Sequence, residues 1–166
     1  MKNPDHQPEP ASNREPARPT ELPGDKAAKR TILILDDVVS VANLLHKIAA
    51  RENFHVLKAF TNQDALAYLA EPGHLGTLRV AFLDLMVGVE SGLAVYRHLR
   101  TLDATVPIVL MSGYVFNVVI PPILARDRHT VFMLKPFEVA VARGLMHNPL
   151  AHGGNLLQRP LDATFG

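Results

Sequence analysis

Five short apolar runs recur along the chain, each followed by polar residues and then by a stretch with helical spacing. The first, Thr31-Ile32-Leu33-Ile34-Leu35, is continuous and partly β-branched, as a strand buried on both faces requires. Val38, Val41, Leu44, Leu45 and Ile48 then recur at intervals that predict an amphipathic helix to about Arg51. Asn53 suits the left-handed residue that closes such a helix. Val56 to Phe60 reads as a second, weaker strand. Thr61 is placed to cap the next helix, with Asp64 three residues on, Ala65, Leu66 and Leu69 inside, and Glu71-Pro72-Gly73 as its stop. The third run, from about Arg79, leads through Val80-Ala81-Phe82-Leu83 into Asp84. Gly88 to Ser91 reads as a loop, and Leu93, Val95, Tyr96 and Leu99 mark a helix ending near Leu102. Pro107 to Met111 is the fourth strand. Val115 to Leu124 is expected to form only a short or broken helix, because Pro121-Pro122 is costly in a helix interior. Thr130 to Leu134 is the fifth strand, and a last helix runs from Glu138 to about Met146, stopped by His147-Asn148-Pro149.

Strand and helix thus alternate five times between Arg30 and His147. That order demands a parallel sheet with right-handed crossovers and helices on both faces, an α/β three-layer sandwich. Ligands of such sheets bind at the carboxyl ends of the strands. Residues 1–29 carry Pro4, Pro8, Pro10, Pro16, Pro19 and Pro23 among polar residues, with almost nothing apolar, and are expected to be a disordered tail. Residues 30–147 form the expected domain, and 148–166, with Gly153-Gly154 and Pro160, a second tail.

Composition narrows the function by exclusion. The 166 residues carry 17 basic and 16 acidic side chains, a formal net charge of +1, which gives no electrostatic case for nucleic acid or a membrane surface as partner. The absence of cysteine excludes disulfides, thiol catalysis and thiolate metal sites. The eight histidines are scattered without metal-ligand spacing. No apolar core of a signal peptide opens the chain, and the most apolar window, Val109 to Ala125, is interrupted by Ser112, Asn117 and two prolines. The cytoplasm is the expected compartment.

The chemistry lies just beyond the strands. The first delivers Asp36 and Asp37, the third Asp84, the fourth Ser112 and the fifth Lys135. All fall on one edge of the expected sheet. Three carboxylates so close repel one another, and a hard divalent cation such as Mg2+ relieves that repulsion. Lys135 offers a point charge to a phosphoryl oxygen, and Ser112 a hydroxyl donor.

In this arrangement the chain resembles the receiver domain of two-component response regulators, of the stand-alone type. The resemblance rests on Asp36-Asp37 after strand one, Asp84 after strand three and Gly92 eight residues beyond it. It rests also on Ser112-Gly113 after strand four and Lys135-Pro136-Phe137 after strand five. It implies a flavodoxin-like fold with strand order 2-1-3-4-5. It implies a signalling module, not an enzyme, in which Asp84 accepts a phosphoryl group from a sensor histidine kinase or histidine phosphotransfer protein in a phosphorelay. Mg2+ would be held by Asp37, Asp84, the Met86 carbonyl and, through water, Asp36. Lys135 would pair with the phosphoryl group, Ser112 would move toward it, and Phe132 would be the switch aromatic that turns inward. The Lys135-Pro136 bond is typically cis in the family, and output passes to a downstream protein target.

The chain departs from the family pattern in places. Gly88 replaces the usual proline and is expected to loosen its loop. Met86 and Tyr114 flank the phosphoryl site and are expected to restrict water, slowing hydrolysis. Phe132 lacks a tyrosine's hydroxyl. The row Val115, Phe116, Val118, Val119 and Ile120 is apolar enough for a homodimer or partner surface. Two alternatives stand beside the relay: a degenerate receiver that binds proteins without phosphorylation, and an aspartate-nucleophile phosphatase. The phosphatase usually needs a second aspartate where Met86 stands.

Overall fold

The computed structural model describes residues 30–113 and 119–151. Its elements in chain order are β1 (Thr31–Leu35), α1 (Val39–Arg51), β2 (His55–Ala59), α2 (Asn62–Ala70), α3 (His74–Thr77), β3 (Leu78–Asp84), β4 (Met86–Val87), β5 (Glu90–Ser91), α4 (Leu93–Leu102), β6 (Ile108–Ser112), α5 (Ile120–Arg126), β7 (Thr130–Leu134) and α6 (Val139–His147). The five longer strands form one parallel sheet in the order β2-β1-β3-β6-β7. Numbered among themselves they run 2-1-3-4-5, the expected order.

Alternation along each strand divides the apolar core between the two faces of the sheet. Ile32, Ile34, Val80 and Phe82 pack with Ala42, Leu45 and Ile48 of α1 and with Ala142, Leu145 and Met146 of α6. Leu33, Leu35, Ala81 and Leu83 face the other way, onto Ala65 and Leu69 of α2, Val95 and Leu99 of α4 and Ile120 of α5. Both faces are therefore covered, which is why the strands read as unbroken apolar runs rather than as alternating ones.

Local signals act as the sequence suggests. Asn53 closes α1 with φ 58°. The Thr61 side chain accepts the Asp64 N–H at 3.1 Å and caps α2. Pro121 and Pro122 fall in the first turn of α5, where a backbone N–H has no helical acceptor, so they start this short helix instead of breaking it. The expectations for Tyr114, Val115, Phe116 and Val118 lie outside the described residues, as do those for both tails apart from residues 148–151.

Three elements, α3, β4 and β5, were not expected. Four residues, His74–Thr77, make the helical turn α3. The segment after Asp84 is an antiparallel hairpin, with Met86 paired to Ser91 and Val87 to Glu90. Gly88 holds φ 61° at the first of its two turn positions, as glycine does in II′ turns. The expected loosening of this loop is therefore corrected: Gly88 closes a tight hairpin, where proline could not adopt this φ.

Candidate functional site

The carboxyl edge of the sheet gathers the polar residues that the core rejects. Asp36 follows β1 and is fully buried; Asp84 ends β3, 6% exposed; Ser112 ends β6, 4% exposed. Lys135 follows β7 directly, and its N–H donates to the Ser112 carbonyl at 2.7 Å, continuing the β6–β7 ladder past its end. The Lys135-Pro136 bond is cis.

Lys135 reaches back across this edge. Its Nζ lies 2.7 Å from Asp84 Oδ2, as a hydrogen bond, and 2.7 Å from Asp36 Oδ2, as an ion pair. One ammonium thus bridges two buried carboxylates. The other Asp36 oxygen, Oδ1, accepts the Val38 N–H at 3.0 Å, while Asp36 Oδ2 has no well-aligned donor. Burial raises the Asp36 pKa above the ordinary carboxylate range; Lys135 works against this, and the charge on Asp84 adds to it. Asp84 Oδ1 lies 3.4 Å from the Met86 N–H, a long contact that leaves this oxygen weakly held.

Asp37 is exposed and turns its carboxylate toward the hairpin, where Oδ2 accepts the Gly88 N–H at 2.9 Å. Oxygen atoms of Asp36, Asp37 and Asp84 all lie within 4.8 Å of one another. Three carboxylates at this spacing, one with an oxygen lacking an aligned donor, fit an oxygen-ligated divalent cation. Met86 sits on the rim, 54% exposed. Phe132 does not reach the edge: it is 1% exposed and packed in the same core cluster as Ile120 and Leu110.

The family resemblance pointed to Gly92, and the structure supplies the reason. A Cβ there would lie 1.8 Å from the Asp84 carbonyl oxygen, so α4 can start against the end of β3 only on glycine. Gly88, expected to loosen its loop, instead supplies its amide to Asp37. One contributor went unnoticed in the sequence. Asn62, on α2, donates through Nδ2 to Glu90 Oε2 at 2.9 Å and to the Ser91 carbonyl at 3.1 Å, bracing the hairpin. The pair Gly88-Val89 between Val87 and Glu90 was the available hairpin signal.

Comparison with known proteins places this geometry in a family. Residues 32–142 match the model of the response regulator receiver domain. Over 82 residues the chain is 32% identical to the regulatory protein VanR of Enterococcus faecium, a match that covers 49% of this chain and 33% of that protein. The chain therefore aligns with about a third of that relative's length. Among solved structures, a CheY-like receiver domain protein from Methanospirillum hungatei superposes with TM-score 0.64 at 18% identity, over 75% of this chain and 95% of that one. A response regulator from Burkholderia pseudomallei superposes with TM-score 0.61 at 19% identity, over 75% and 70%. At these identities the structural likenesses establish the fold, and the match of residues 32–142 establishes the family. With the acids, the hydroxyl and the lysine at the strand ends where the fold leaves its ligand edge open, the chain belongs to the response regulator receiver domain family.

Proposed function

We propose that the chain is a phosphoacceptor in a two-component relay, with Asp84 as the acceptor. One observation carries this reading: a single ammonium, Lys135 Nζ, lies 2.7 Å from both Asp36 and Asp84, with Asp37 beside them and Ser112 at the end of the neighbouring strand β6. An Asp84 oxygen attacks the phosphorus of a phosphohistidine; the new P–O bond forms as the P–N bond breaks, and the electron pair leaves with the imidazole. Lys135 then exchanges its carboxylate partner for a phosphoryl oxygen, and Ser112 donates to another. Asp36, Asp37 and Asp84, with the Met86 carbonyl, would hold Mg2+, whose charge offsets that of the transferring group. The Burkholderia pseudomallei structure carries a phosphorylated aspartic acid and a calcium ion, so the same fold holds both groups there.

Receiver domains work with histidine kinases and with output domains, and a histidine kinase or phosphotransfer protein is the proposed donor here. Output passes by contact with a downstream protein, with Phe132 as the side chain that follows Ser112. No helix among the described residues is long and apolar enough to cross a membrane, and the cytoplasm is the proposed compartment.

The test is to incubate the protein with Mg2+ and a small phosphodonor and weigh it intact. The reading expects a stable gain of one phosphate that disappears in Asp84→Asn. No gain favours a binding module that works without phosphorylation. Sustained phosphate release favours a phosphatase, a reading for which Met86 leaves no second acid two residues after Asp84.

A further inference from the structure

We infer that the Gly88 amide is a positioning group for Asp37, holding this exposed carboxylate in its metal-binding orientation. The inference rests on the reading of Asp37 as a ligand of the divalent cation. Asp36 and Asp84 are fixed by burial and by Lys135. Asp37 has neither. The bond that its Oδ2 accepts from Gly88 at 2.9 Å is the restraint on its side chain among the described residues. An unrestrained carboxylate samples several rotamers and loses that freedom on binding a cation, whereas one already held by a donor loses less. Donors that orient a ligating carboxylate are worth roughly 10- to 100-fold in metal affinity.

The donor is itself held in place. Gly88 sits at the tip of the β4–β5 hairpin with φ 61°, and its N–H is directed at Asp37. Asn62, 6% exposed, ties β5 to the start of α2 through its two Nδ2 bonds. A braced hairpin thus presents one amide to one exposed acid from 51 residues away. A carboxylate oxygen has a second lone pair, so Asp37 can keep the amide and still bind a cation. Proline at position 88 could neither donate the bond nor take the positive φ.

The test uses the full chain and Mg2+ alone. Calorimetric titration compares wild type with Gly88→Pro and Gly88→Asn; asparagine keeps the N–H and tolerates positive φ better than most residues. The expected result is a loss of about tenfold in Mg2+ affinity for Gly88→Pro, with Gly88→Asn close to wild type. The metal-free unfolding temperature is recorded beside it, so that a purely structural loss shows there and leaves the affinity unmoved. Equal affinity in wild type and Gly88→Pro overturns the inference. Should Gly88→Pro fail to fold, amide hydrogen exchange in the wild type decides. Protection at Gly88 that persists with Mg2+ supports the inference, and its loss on Mg2+ addition overturns it. A wild type that binds no Mg2+ overturns the metal site itself, an outcome distinct from a bound metal indifferent to Gly88.

Discussion

Gly92 has an ordinary helical φ of −62°, so its backbone would accept any residue, and it is space alone that forbids a side chain. Because a Cβ would overlap the Asp84 carbonyl oxygen, Gly92→Ala must push α4 away from the end of β3. The expected cost is about 3 kcal/mol, at the upper end for overpacking a rigid site, read as a lowered urea midpoint. Asp36 has the opposite sign. Its burial raises the folded-state pKa, so the folded state binds its proton more tightly than the unfolded chain does. Its contribution to stability therefore falls as pH rises from about 4 through the raised value, and at neutral pH the charge is a net cost. In the absence of divalent metal, Asp36→Asn is expected to unfold a few degrees higher than wild type, measured by circular dichroism at pH 7. Met86 belongs to chemistry rather than stability. Its half-exposed side chain stands on the rim where water must enter, and the phosphorylated lifetime of wild type is expected to exceed that of Met86→Asn. An equal or shorter wild-type lifetime would remove the case for Met86 as a screen.

Among the elements, the corner between α5 and β7 is heavily bonded. Arg100 on α4 donates to Asp127 Oδ2 at 2.5 Å, to the Val106 carbonyl at 2.8 Å, to the His129 carbonyl at 3.2 Å and to Thr130 Oγ1 at 2.9 Å. Asp127 also accepts from the Tyr96 and Thr130 hydroxyls and from the His129 N–H. Burial works to raise the Asp127 pKa, but the donors from Thr130, Arg100 and His129 outweigh it and hold the acid below its ordinary value. A lowered folded-state pKa gives stability that is present above the unfolded value and lost as pH falls through the folded one. Asp127→Asn is therefore expected to cost about 2 kcal/mol at pH 7. The gap from wild type should begin to narrow as pH falls below about 4, the unfolded carboxylate value, and close only below the lowered folded value, in urea titrations across that range. The elements legible in the sequence were those with a long enough period. Thr31–Leu35 and Thr130–Leu134 are buried runs ended by a charge, and both were read to the residue. The two-residue strands β4 and β5 and the four-residue α3 are too short to show a period. Strand ends named the acids, the serine and the lysine. They did not say that Lys135 would bridge Asp36 and Asp84, or that Gly88 would bond Asp37, because those pairings depend on how loops distant in sequence meet.

At the scale of the whole molecule, the charges and the cores occupy different places. Two apolar clusters fill the faces of the sheet, and the three acids crowd one edge. A cation that binds only the folded arrangement of those acids stabilises the whole fold. At a Mg2+ concentration about 100 times its dissociation constant the gain is about 2.7 kcal/mol. Thermal unfolding with Mg2+ and with EDTA is the measurement, and an unfolding temperature indifferent to both would count against the site.

The Arg100 network has a mechanical consequence. It grips the chain from Asp127 to Thr130, where α5 ends and β7 begins, at the sheet edge opposite the acids. The start of α5, at Ile120, is joined through the preceding segment to Ser112 at the reacting edge. The clamp anchors one end of this stretch, and the other end follows Ser112 in the chain. With its far end held, α5 would turn about Asp127 whenever its start moves, so that a movement of atomic size at Ile120 becomes a tilt of the helix over the core that buries Phe132. Amide exchange is expected to be slow from Asp127 to Thr130 in both states and to change on phosphorylation only from Val119 to Ile123. The clamp, made of residues that never touch the phosphoryl group, would then act as the fulcrum of the signal.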